Sequence, residues 1–212
     1  MKVQSPQTSR KDFFNQLAPD WDQRFYTPEL KEHLKFLVSD FHLKKGTRVL
    51  DVGSGTGGII PYILQNIGQR GSVWAVDFAE EMVRIGKEKF RHDLRVDFQT
   101  ASVEALSFGD QFFNHVVCFG ALPHFIDKHL AFKQMGRVLK TGGTLIIAHA
   151  LSSQEIKNHH QGSSPVSMDC LPEEAEMRSL LTTNGFQVTR LVDRPKYYLC
   201  EGVKSDKPQR KP

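Results

Sequence analysis

The chain is poor in the residues that staple or anchor a fold. Of 212 residues, three are cysteine, two tryptophan and four tyrosine. Cys118, Cys170 and Cys200 are odd in number, widely spaced and form no C-x-x-C pair. That excludes a disulfide framework and a structural zinc knuckle, and fits a reducing, cytoplasmic setting. No H-x-x-x-H or H-E-x-x-H spacing offers a helical metal site. No run of about 18 apolar residues could span a bilayer. The opening "MKVQSPQTSRKDFF" lacks an apolar core, so no secretory leader is expected. Internal repeats and low-complexity tracts are absent as well.

Net charge is +4, with 39% apolar and 25% charged residues, ordinary for a globular chain. Its location matters more than its size. Lys2, Arg10 and Lys11 put +3 on residues 1–11, and residues 204–212 carry another +3, which leaves the body at −2. A nucleic-acid footprint is a basic stripe on the folded surface, so basic ends alone argue against one. Residues 1–11 are expected to be a flexible tail, 12–203 one domain with a helical cap over 12–45, and 204–212 a disordered basic tail.

From residue 46 onward strand and helix signals alternate. "TRVLDVG", "GSVWAVD", "LRVDFQT", "HVVCFG" and "GGTLIIAHA" read as five short strands. "GIIPYILQNIG", "AEEMVRIGKEKF" and "KHLAFKQMGRVLK" read as helices between them. Such alternation predicts a parallel sheet covered on both faces. "SSQEIKNHHQGSSPVSMDCLP" has no apolar period and reads as a long polar loop, followed by a helix over "EEAEMRSLLTTNG". "FQVTRLVDRP" and "KYYLCEGV" are joined by too short a connection for a crossover, so they pair antiparallel. The expected architecture is an α/β, Rossmann-like, doubly wound, three-layer fold. Its seven-stranded sheet is mostly parallel with an antiparallel last strand, and helices precede it.

"RVLDVGSGTGGII" allows two readings. Gly53, Gly55 and Gly58 fit the dinucleotide pattern G-x-G-x-x-G, whereas Asp51, Gly53, Gly55 and Gly57 fit an acidic-x-G-x-G-x-G loop. Asp51 tips the balance, because a carboxylate there suits a cationic ammonium and repels a pyrophosphate. Asp77, about 20 residues on, suits ribose hydroxyls in either case. The closing antiparallel hairpin is foreign to a dinucleotide fold of this type.

The segments "FFNQLAPDWDQRF", "VLDVGSGTGG", "VWAVDFAEEMV", "ASVEALSF" and "MGRVLKTGGTLIIAH" make the chain similar to the class I S-adenosylmethionine-dependent methyltransferases, in the ubiquinone/menaquinone-type group. The resemblance implies that Asp51, Gly53, Ser54, Gly55 and Gly57 line the methionine part of S-adenosyl-L-methionine. It implies that Asp77 takes the ribose, that Phe78 or Met82 flanks the adenine, and that Ser102 and Val103 meet the adenine edge. The family often carries Asp where Ser102 stands. Phe119 joins the same wall, and Trp21 helps to close the site.

Methyl transfer from a sulfonium needs alignment, exclusion of water and a base only if the acceptor arrives protonated. His149, His124 and His160 are the candidate acid–base residues, because they cluster at the carboxyl ends of the strands. A weaker reading makes His149, His159, His160 and Cys170 a metal site or a site for a soft metalloid acceptor. The expected partner is a small-molecule methyl acceptor, with no metal, nucleic acid or membrane span. Competing assignments are a nicotinamide-dependent oxidoreductase, which lacks any Tyr-x-x-x-Lys here, and a cofactor-sensing protein without chemistry.

Overall fold

The computed structural model describes residues 6–159 and 165–206. The chain opens with three helices, α1 (Pro6–Leu17), α2 (Trp21–Phe25) and α3 (Pro28–Ser39), with a 3-10 turn at Ala18–Asp20. Then follow β1 (Arg48–Val52), α4 (Ile60–Ile67), β2 (Ser72–Asp77), α5 (Glu80–Lys89) and β3 (Val96–Thr100). The second half holds β4 (Phe113–Phe119), α6 (Lys128–Val138), β5 (Leu139–His149), α7 (Ser153–His159), α8 (Glu174–Thr183), β6 (Phe186–Arg194) and β7 (Tyr197–Lys204).

The seven strands form one sheet in the order β3-β2-β1-β4-β5-β7-β6. β1 to β5 are mutually parallel, and β7 inserts antiparallel between β5 and β6. Strand order reverses between β1 and β4. In an open α/β sheet that reversal opens a crevice at the carboxyl ends of the strands. β1 and β4 are buried nearly throughout, as strands covered on both faces must be. Leu50 and Val52 pack with Phe113, Phe132, Met135, Leu180 and Phe186 on the side of α6 and α8. Val49 and Val117 face the opposite layer, with Leu34, Leu37, Ile60 and Ile63 from α3 and α4.

Local chemistry explains most boundaries. Thr27 caps α3 by accepting from the Leu30 amide at 3.2 Å, with Pro28 as the first helical residue. Asp127 caps α6 through the Leu130 amide at 2.8 Å. Glu80 and Glu81 open α5 and Lys87 and Lys89 close it, each sign at the end of the helix dipole that favours it.

Three boundaries depart from the sequence reading, while the helical cap divides at Pro19 and restarts at Thr27–Pro28 as the sequence suggests. α1 starts at Pro6, inside the stretch expected to be a tail, and Arg10 is held by Asp169 rather than solvated. α6 ends at Val138 and β5 begins at Leu139, which is fully buried and pairs with Phe113. The polar loop contains α7, nucleated by a capping box. Ser152 Oγ accepts from the Glu155 amide at 3.2 Å while Glu155 accepts from the Ser152 amide at 2.8 Å. Residues 160–164 and 207–212, on which the His160 assignment and most of the expected C-terminal tail fall, lie outside the described residues.

The cap is docked on the glycine loop. Asp22 accepts from the buried hydroxyl of Thr56 and from Lys89 Nζ at 2.6 Å, and Asn15 accepts from the Glu81 amide at 3.0 Å. Beneath lie Phe14, Ala18, Ala79, Met82 and Val166 as a small apolar cluster. Asp22→Ala strands the Thr56 hydroxyl in a dry site. It should cost about 1–3 kcal/mol in denaturant unfolding and speed amide exchange in α1 and α2. A loss under about 0.5 kcal/mol would mean that apolar packing alone holds the cap.

Candidate functional site

A cavity of about 390 Å³ opens over the carboxyl ends of β1, β2, β4 and β5, under the cap. That volume suits a ligand of nucleoside size or somewhat larger. Asp51, Gly53, Ser54, Gly55, Asp77, Phe78, Met82, Ser102, Val103 and Phe119 line it, as do Trp21, His124 and His149. The sheet therefore brings together nearly all the residues marked in the sequence.

Gly57 is the exception. It does not line the cavity but turns toward the core, where a Cβ would stand 2.8 Å from the Phe98 ring at a φ of +82°. Gly53 serves the site more directly. Its φ is +69°, and any Cβ there would collide with Ala121 across the crevice.

The floor is two buried carboxyls. Asp77 accepts from the Gly55 amide at 2.8 Å and from the Ala79 amide at 2.9 Å, so it braces the glycine loop from below. Burial still pushes its pKa up to about 6, against the pull of those amides. Asp51 is 1% exposed and its Oδ2 has no partner among the described residues. Burial, reinforced by the negative charge of Asp77, pushes Asp51 up to about 8.

This floor discriminates between ligands. An anion site at a strand–helix turn needs loop amides that point at the ligand. Here they turn inward. The Gly53 and Ser54 amides donate to Val76 O at 2.8 and 3.0 Å, Gly55 to Asp77, and Gly57 to Ser54 O at 2.9 Å. A diphosphate would meet two carboxyls and few amides, whereas a cationic amine would satisfy Asp51. The orphaned oxygen thus fits the ammonium of S-adenosylmethionine.

The roof is aromatic. Phe14 sits edge-on to Phe78, Trp21 and His124, with centroids 5.8, 6.0 and 5.1 Å away, and Trp21 is tilted on Phe25 at 4.4 Å. Arg10, Tyr26 and Glu104 line the wall without a signal in the sequence that places them in the site, and Asp169 stands behind it. Glu104 lines the cavity and accepts from the Ser102 hydroxyl. Asp169, 7% exposed, bonds His124 Nδ1 at 2.9 Å and Arg10 Nη2 at 2.5 Å. Nothing local in the sequence announces that contact, since its members lie 45 and 159 residues apart.

The histidines separate by their partners. His149 Nδ1 accepts from the Leu151 amide at 3.1 Å, which leaves the ring proton on Nε2. His124 Nδ1 faces a carboxylate, which can only accept. The ring of His159 and all of His160 lie outside the described residues, and Cys170 is exposed and away from the cavity lining. Among the described residues no group of three or more His, Cys, Asp or Glu could hold a metal ion. Cys118 and Cys200 are buried thiols, the latter pushed up to about 12 by burial, and do not share a site with Cys170.

Known proteins resemble the chain in its central part and in its fold. Residues 49–143 match the methyltransferase domain family. The ubiquinone/menaquinone biosynthesis C-methyltransferase UbiE of Neisseria meningitidis serogroup B is 38% identical over 114 residues, which cover 53% of this chain and 46% of that protein. UbiE of Yersinia pestis bv. Antiqua is 35% identical over 116 residues. The chain thus spans about half the length of the curated relatives it matches. Among solved structures, a chain from the complex of the Haloferax volcanii Trm112 methyltransferase activator with a methyltransferase superposes with a TM-score of 0.76 at 20% identity, covering 91% of this chain and 97% of that one. A SAM-dependent methyltransferase from Aquifex aeolicus gives 0.69 at 23%, covering 94% and 98%. Geranyl diphosphate C-methyltransferase from Streptomyces coelicolor, solved with S-adenosyl-L-homocysteine, gives 0.67 at 14%, covering 82% and 80%. Among the described residues no helix is long and apolar enough to cross a membrane.

Asp51 has a measurable signature. In the unfolded chain it ionises near its usual 3.8, but in the folded protein it keeps its proton up to about 8. The unfolded state therefore releases a proton first, and stability falls as pH rises between those values. Melting temperature of the wild type relative to Asp51→Asn should decline from pH 4 to pH 8 and level off above. Parallel curves would place the ionised carboxylate in a site that solvates it.

Proposed function

From the premise that this chain carries a class I S-adenosylmethionine-dependent methyltransferase domain, we propose that it transfers the methyl group to a small, largely apolar acceptor. The observation that carries this reading is the buried Asp51 Oδ2, without a partner among the described residues, beneath a glycine loop whose Gly53, Ser54, Gly55 and Gly57 amides are already engaged. The co-substrate supplies an activated methyl on a sulfonium, so the protein's task is alignment and exclusion of water.

On this reading Asp51 holds the ammonium of the amino-acid tail, and Gly53, Ser54 and Gly55 lie against that tail. Asp77 has lone pairs left over from the Gly55 and Ala79 amides, and these take the ribose hydroxyls. Phe78 and Met82 flank the adenine, with Val103 along its edge. Ser102 stands where the family often has Asp, and Glu104 supplies the missing carboxylate, oriented by the Ser102 hydroxyl. Trp21 and Phe14 close the roof. His149, with its proton on Nε2, donates a hydrogen bond to the acceptor, and His124 is the residue able to take a proton. The C-methylating relatives support a small-molecule acceptor activated as a carbon nucleophile.

Calorimetry with S-adenosylhomocysteine tests the assignment. Binding is expected, together with a loss of about 30-fold or more in Asp51→Asn, as when one partner of a buried charge pair is removed. Glu104→Gln should weaken binding about three- to tenfold, the difference between a charged and a neutral acceptor. Tight NAD binding without affinity for S-adenosylhomocysteine would overturn the reading.

A further inference from the structure

Arg10, Asp169 and His124 come from three separated parts of the chain. Arg10 belongs to α1 of the cap, Asp169 to the segment before α8, and His124 to the turn after β4. Asp169 lies between the other two. Its Oδ2 faces His124 Nδ1 at 2.9 Å and Arg10 Nε at 3.3 Å, and its Oδ1 takes Arg10 Nη2 at 2.5 Å. Its side chain is 6% exposed, so the contact is made away from bulk water. Phe14, one turn beyond Arg10 in α1, packs edge-on against the His124 ring. Both Arg10 and His124 line the cavity.

Resting on the methyl-transfer reading above, we propose that Asp169 and Arg10 are positioning residues that hold His124 as the proton acceptor for the methyl acceptor, and that cap docking completes this arrangement.

A carboxylate accepts only, so Nδ1 carries the hydrogen toward Asp169 and Nε2 keeps the lone pair. Arg10 and His124 together hold the Asp169 carboxyl below the usual range, so it stays an acceptor at neutral pH. His149 is wired the opposite way, because a backbone amide occupies its Nδ1. In the transfer step the acceptor gives its proton to His124 Nε2. At oxygen the freed pair forms the bond to the methyl carbon. At the adjacent carbon it becomes the carbonyl π bond while the carbon–carbon π pair takes the methyl, and the proton on that carbon leaves when the enol re-forms. Either way the carbon–sulfur pair stays with sulfur as the neutral thioether. His124 ends the step as an imidazolium, stabilised by Asp169. The acceptor class is therefore a weakly acidic hydroxyl compound, a phenol or enol, reacting at oxygen or at the adjacent carbon.

Arg10 tunes the pair. It faces the same carboxylate as His124, so it draws negative charge away from the ring and anchors the carboxyl through α1. Among the described residues, the other charged or titratable groups lining the cavity are Tyr26 just after α2, Glu104 on the 3-10 turn at Val103–Ala105, His149 at the end of β5, and Asp51 and Asp77 on the floor. Lys128, the first residue of α6, donates to Phe125 O.

Long-range proton–nitrogen NMR on the 15N-histidine-labelled full chain, with and without S-adenosylhomocysteine, tests the proposal without an acceptor. The expected wild-type signature is His124 protonated on Nδ1 with a lone pair on Nε2. In Asp169→Asn the His124 titration should move down by about one pH unit, for loss of the anion. In Arg10→Gln it should move up by about half to one unit, for loss of the competing cation. A merely structural role moves both variants the same way, toward a free imidazole. Shifts of one sign, or His124 protonated on Nε2 in the wild type, would overturn the proposal. The wild-type tautomer decides even if a variant fails to fold. Failure to bind S-adenosylhomocysteine would instead sink the methyltransferase reading, and leaves the tautomer result to be read from the free protein.

Discussion

The structure turns on a buried carboxyl group, one oxygen of which has no hydrogen-bond partner among the described residues. Asp51 lies on the central strand of the sheet, paired with Ala75 on one side and Val117 on the other, where a hydrophobic residue would pack at no electrostatic cost. A buried, unsatisfied polar group costs about 1–3 kcal/mol, a sizeable part of the 5–15 kcal/mol that keeps a domain folded. The surrounding apolar layers are extensive enough to carry it. The glycine loop compounds the effect, because its amides turn to Val76, Asp77 and Ser54 and leave the floor of the cavity with few donors for an anion. A cationic ligand relieves the cost and an anionic one aggravates it. Ligand choice is thus decided by the fold of one strand and one turn before any specific contact is considered.

The cap contributes what the sheet cannot, a roof. Its exposed ion pair between Lys11 and Glu80 is worth little in water. What holds it are the apolar cluster around Phe14 and Met82 and three polar contacts with buried or half-buried partners: Asp22 with Thr56, Asn15 with the start of α5, and Arg10 with Asp169. Each contact ties the cap to a different element of the site. Trp21 and Phe14 therefore sit over the cavity as a consequence of docking, and exclusion of water follows from the same contacts.

Most of the fold is legible in the sequence because its signals are local. Apolar strands at β1 and β4, the charge asymmetry of α5 and the short β6–β7 connection each declare themselves within a dozen residues. The acidic glycine loop with Asp77 locates the floor of the site for the same reason. The departures have three sources. The capping box at Ser152 and Glu155 is a local signal that was present and passed over, so α7 read as loop. Arg10, Glu104 and Asp169 have no local signal of a role in the site. Arg10 reads as tail charge, and only the closing of the chain puts it 2.5 Å from Asp169. Gly57 fails differently: its place in the motif matches its neighbours, but the turn aims it at Phe98 rather than at the cavity.

The charges of the site form a consistent set on the methyl-transfer reading. A sulfonium loses its positive charge when its methyl leaves, and a base that takes the acceptor's proton gains one. Positive charge thus moves across the cavity, from the floor side toward the roof, within a single step. An environment of low polarity resists that movement unless an anion waits at each end. Asp51 and Asp77 stand beneath the starting position and Asp169 stands behind His124 at the finish. His149 does not fill the second role, because its Nδ1 accepts from a backbone amide. Two histidines at one rim thus have opposite proton assignments, and the difference comes from what each Nδ1 touches.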